Sequence, residues 1–178
     1  MRIAVIGAGS VGAMLNCVRA LALLLLLLPA GSASANLFSS GDYERFHDLL
    51  TTTNSLGDDI AALLDKSPPP ALQDCLIRVN GHLDAFHAEL RGVATLVGVS
   101  SKMVDPNDER IVFLFLDSQG KAFLKTLQFK RRLANLTEDK CSQDGTVTAK
   151  VQAALRIYDD AAALVETIIK KIIPSLPR

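Results

Sequence analysis

Three groups of residues in this chain have types and spacings that could do chemistry. In the opening "MRIAVIGAGSVGAMLN", Gly7, Gly9 and Gly12 fit G-x-G-x-x-G after a short β-branched run. There the first glycine allows a tight turn, the second lets backbone approach a pyrophosphate, and the third lets a helix pack on the strand. Glu44-x-x-His47 and Asp84-x-x-His87 set an acid and an imidazole three residues apart, the spacing used by di-metal helical bundles. The thiols are Cys17, Cys75 and Cys141. No G-x-S-x-G, C-x-x-C, H-E-x-x-H or C-x-x-C-H occurs, so no catalytic residue is assigned and no covalent haem is expected.

The N-terminal residues resemble the opening of Rossmann oxidoreductases such as the ketopantoate reductase family. That resemblance implies an NAD(P)-dependent enzyme with Gly7, Gly9 and Gly12 against the cofactor, provided the segment is retained. It does not extend beyond the opening. The fingerprint needs an acid about 20 residues further on to hold the ribose hydroxyl. The window "LLLLPAGSASANLF" has none, and Asp42 is the first acidic residue in the chain. The leading expectation is therefore a protein with no cofactor and no enzymatic role.

The same segment has a second reading from Met14. "MLNCVR" is a short basic n-region, "ALALLLLLL" an apolar h-region, and "PAGSASA" a small-residue c-region. Ala33-Ser34-Ala35 is an A-x-A signal, predicting cleavage after Ala35. The apolar run from Ala20 to Leu28 is shorter than the ~20 residues of a membrane span. Residues 1–35 are thus expected to be a signal segment with its true start at Met14, touching the membrane only in transit. Residues 36–178 form a single helical domain, secreted or periplasmic. Cys17 leaves with the signal, so Cys75 and Cys141 are expected to pair, as thiols in an oxidising compartment do. Removing Arg2 and Arg19 leaves 17 basic and 19 acidic residues. That mildly acidic balance and the absence of Trp exclude nucleic acid as a partner class.

Helical periodicity positions these residues. Leu72, Leu76, Val79, Leu83, Phe86, Leu90, Val93 and Val97 alternate steps of four and three. So do Val147, Val151, Ala154, Tyr158, Ala161, Val165, Ile168 and Ile172. Phe46, Leu49, Thr53, Leu56, Ile60 and Leu63 make another stripe, and Phe113, Leu116, Gly120, Phe123 and Leu127 a fourth. Such stripes belong to bundle packing. "SPPP" at Ser67–Pro70, Asp105-Pro106, "SQDGT" and Pro174 mark the boundaries. The reading is an all-α, up-down-up-down four-helix bundle, with residues 110–129 open to an alternative hairpin around "DSQG". That topology brings the helix-one/two and helix-three/four turns to one end, where Cys75 and Cys141 can meet.

In this frame Phe46 and Phe86 are core, so Glu44, His47, Asp84 and His87 flank the stripes and are only weak metal candidates. Lys121, Lys125, Lys130, Arg131 and Arg132 read as a solvated basic face or a dock for an anionic partner. Ile169 and Ile173 beside the last stripe read as a wide core contact or a face for homo-oligomer formation. Asn135-Leu136-Thr137 is a glycosylation sequon, relevant only in a eukaryotic secretory pathway. The functional expectation is an exported binding or structural module, engaging a protein or envelope component through a helix face.

Overall fold

The structure is a computed structural model that describes residues 37–103 and 105–176, apart from the side chains of residues 138 and 140. The expected signal segment, with its expected start at Met14 and cleavage after Ala35, lies outside the described residues, as do Gly7, Gly9 and Gly12. The described residues form four helices and no strand: α1 (Ser40–Leu64), α2 (Pro70–Ser100), α3 (Pro106–Cys141) and α4 (Gly145–Ile172). A single 3-10 turn, Ile173–Ser175, follows where Pro174 stops the last helix. Each helix packs on the next and α1 closes the ring against α4, while α2 and α4 also touch across the diagonal. This is the all-α four-helix bundle expected from the periodicity.

The ends are set by local chemistry. Ser39 and Asp42 form a reciprocal capping box at the start of α1, which satisfies two otherwise orphaned N–H groups. Asp105 accepts from the Asn107 N–H at 2.8 Å and precedes Pro106. Asp144 accepts from the N–H groups of Thr146 and Val147. α2 starts with Pro70 at its first position and has no side-chain cap. Before it, Ser67 adopts φ 51°, a left-handed conformation that reverses the chain as glycine usually does.

Residues 110–129 lie within one continuous helix of 36 residues, so the hairpin alternative does not form. Gly120 sits at the reason. A Cβ there would meet Ile169 Cδ1 at 3.0 Å and Val165 Cγ1 at 3.3 Å. The glycine that weakens helix propensity lets α3 and α4 approach closely, and burial of Ile169 offsets the propensity cost. All eight stripe positions of α4 are buried, as are Leu164 and Ile169 beside them. The second apolar row of α4 is therefore core, and only Ile173 of the pair singled out is exposed.

Phe86 stands at the centre, with its ring 4.8 Å from Tyr158 and 5.9 Å from Phe123. Cys75, in the second turn of α2, is joined to Cys141, with a Cα–Cα distance of 6.3 Å. Cys141 is the last residue of α3 rather than part of the following connection, because the helix runs farther than its breaker residues suggested. The disulfide ties the start of one helix to the end of its antiparallel neighbour.

Candidate interaction surface

The basic residues of α3 do not form one solvated face. The inward stripe continues past Leu127 through Lys130, Ala134, Thr137 and Cys141, and all four are buried. Lys130 thus occupies a core position at 5% exposure. Its Nζ lies 2.9 Å from Glu89 Oε2 of α2, off the hydrogen-bond line, and neither atom has another partner. Glu89 also acts on Tyr158: burial first, and then this carboxylate, pushes the phenol's ionisation well up. Lys121 donates to Asp117 one turn back at 2.7 Å, and Arg131 pairs with Asp159 of α4. Lys125 and Arg132 project outward and are exposed.

Those two cations belong to a second stripe that sequence reading passed over. Ile111, Phe115, Ser118, Ala122, Lys125, Phe129, Arg132 and Leu136 repeat the four-three alternation on the side away from the core, and every one is exposed. Phe115 is 62% exposed, Phe129 61% and Leu136 60%. Among the described residues none covers these large apolar side chains, which stand at helical spacing. Such a face is a candidate interaction surface. Its signal was present in the sequence but was overlaid by the inward stripe of the same helix. The run "IVFLFL" serves both faces at once, which is also why it imitated a strand.

Of the metal candidates, the structure brings His47 and His87 to one cleft of 270 Å³ between α1 and α2, with Arg91, Asn54, Thr51 and Thr95. Glu44 and Asp84 do not line it. Asp84 acts on His87 only through its charge. Burial, then the Arg91 guanidinium, hold His87 below its ordinary pKa despite Asp84, and its Nε2 is buried without a hydrogen-bond partner. Among the described residues no cluster of three or more His, Cys, Asp or Glu side chains could hold a metal ion. The sequon is folded into α3, with Thr137 buried and its hydroxyl donating to the Leu133 carbonyl.

At the far end of the bundle, Lys171 of α4 donates two hydrogen bonds to Asp42, tying the α1 cap to the last helix. Lys150 and Asp59 pair across the same two helices. Among the described residues no helix is long and apolar enough to cross a membrane. Comparison with known protein families, curated proteins and solved structures finds no match in any of the three.

Proposed function

We propose that this chain is an exported, non-enzymatic helical bundle, secreted or periplasmic, that serves as a binding or structural module of the cell envelope. It engages its partner through the outer face of α3. The observation that carries this reading is the exposed stripe with Ile111, Phe115, Phe129 and Leu136. A helix that spends four large apolar side chains on solvent, while its opposite face builds the core, is shaped for a contact outside the domain. The disulfide between Cys75 and Cys141 supports an oxidising destination.

Intact mass of the protein from its native host, alkylated before and after reduction, tests the export part. The expected species begins at Asn36 and exposes two thiols only after reduction. A species that retains Met1 and alkylates at three cysteines without reduction would refute export and return attention to Gly7, Gly9 and Gly12.

A further inference from the structure

We infer that the occupant of the α3 outer face is an anionic lipid surface, with the helix lying flat in the headgroup region. The inference rests on the reading of α3 as the contact face and names what it contacts. Two features of the stripe decide the occupant: its charge and its shape.

Between Ile111 and Leu136 the stripe holds two cations, Lys125 and Arg132, and no carboxylate, and the exposed acids Asp108 and Asp139 continue the alternation only at its two ends. At 100° per residue both cations fall on the same flank of the apolar row. Paired antiparallel about its centre, the stripe of a second copy would set Ala122 against Lys125 and Phe115 against Arg132, and the terminal acids Asp108 and Asp139 against one another, so these cations would meet no acid. Self-pairing would therefore remove Lys125 and Arg132 from water without compensation, which is costly. Anionic headgroups supply the missing charge, each basic residue near such a surface being attracted individually.

The shape points the same way. Phe115 and Phe129 stand about 21 Å apart along the helix, with the small Ser118 and Ala122 between them. A protein partner must fill such gaps with matched side chains to build a packed centre. Acyl chains and headgroups fill them without matching. Apolar residues on one side with Lys and Arg at the flank are the composition of helices that lie in the interface plane. The inner stripe stays committed to the core, so docking exposes nothing and requires no unfolding.

The test uses protein recovered from its native host, floated with vesicles of phosphatidylcholine alone or mixed with phosphatidylglycerol. Wild type is compared with Phe115→Ser/Phe129→Ser, with Lys125→Glu/Arg132→Glu, and with Ile77→Ser, which removes an exposed apolar side chain on α2. Circular dichroism checks that each variant is folded. The expected result is flotation with the anionic vesicles only, weakened by salt. Losing the two exposed rings should weaken it about 30-fold, reversing the two charges at least about 30-fold, and Ile77→Ser should leave it unchanged. A photo-crosslinker at Ala122 in the native host separates the remaining outcomes. No flotation with a crosslink to a protein, or to a second copy, overturns the lipid assignment and leaves α3 as the contact face. No flotation and no crosslink, or flotation indifferent to every variant, overturns both.

Discussion

The pair Lys130–Glu89 offers the sharpest check on how this bundle is held together, because its two partners are unequally buried. The Lys130 side chain is 6% exposed and the Glu89 side chain 38%. Deleting Glu89 leaves an ammonium at a core position with no other partner. Breaking a fully buried pair that way costs about 3–5 kcal/mol. The paired Oε2 is sealed but the rest of the Glu89 side chain is open to water, so Glu89→Ala should cost about 2–3 kcal/mol. Deleting the cation leaves a part-exposed side chain that can turn its carboxylate into water, and a methionine fills the space between Leu127 and Ala134. Lys130→Met should therefore fall within about 1 kcal/mol of wild type. Urea unfolding resolves the two: at an m-value of about 2 kcal/mol/M, Glu89→Ala moves the midpoint down by about 1 M. The double variant should follow Lys130→Met, giving a coupling of roughly 2 kcal/mol. If Lys130→Met cost as much as Glu89→Ala, attraction within the pair would exceed its desolvation cost, and the reasoning would be refuted.

Further outcomes are expected elsewhere. Reducing Cys75–Cys141, which are separated by 66 residues, should remove up to about 4 kcal/mol on the chain-entropy model. Equal stability of reduced and oxidised protein would contradict it. Gly120→Val should destabilise by about 3 kcal/mol or more, since its branches enter the space of Ile169 and Val165; a variant as stable as wild type would mean that α3 and α4 separate freely. Ser67→Gly should relieve the left-handed backbone and stabilise by up to about 1 kcal/mol, read as a raised midpoint. On the acid side, His82 and His87 are each held below 6.5, chiefly by burial and then by Lys130 and Arg78 for His82 and by Arg91 for His87. The unfolded chain takes their protons first, so stability should begin to fall as pH drops through 6.5. His82→Gln/His87→Gln should flatten that slope. Burial pushes the Asp42 carboxyl up, but hydrogen bonds from Lys171 and Ser39 outweigh it and hold the group below 3.8. Its contribution is present above that pH and fades as pH falls through the lowered value. Asp42→Asn should accordingly lose stability at neutral pH and little in strong acid.

Much of the architecture was readable from periodicity and punctuation. A helix repeats its face every seven residues, so the stripes of α1, α2 and α4 could be written from apolar spacing alone, and Asp105-Pro106 announced its own cap. The disulfide followed from topology, because antiparallel order brings the start of α2 and the end of α3 together. What the sequence left undecided were matters of three-dimensional neighbourhood. Lys130 looks like its exposed neighbours until the inward stripe is extended past Leu127, and only packing against α2 reveals Glu89 as its partner. Gly120 reads as a defect or a turn until Ile169 is seen filling the space of its absent Cβ. Ile169 and Ile173 look alike in sequence, yet one is sealed between helices and the other lies past the helix end. His47 and His87, forty residues apart, share a cleft because α1 and α2 pack side by side, while the acids paired with them in sequence point elsewhere. The outer stripe of α3 was written in the chain from the start. Only tertiary structure decides which of two apolar faces on one helix becomes the core, because burial depends on where the other three helices stand.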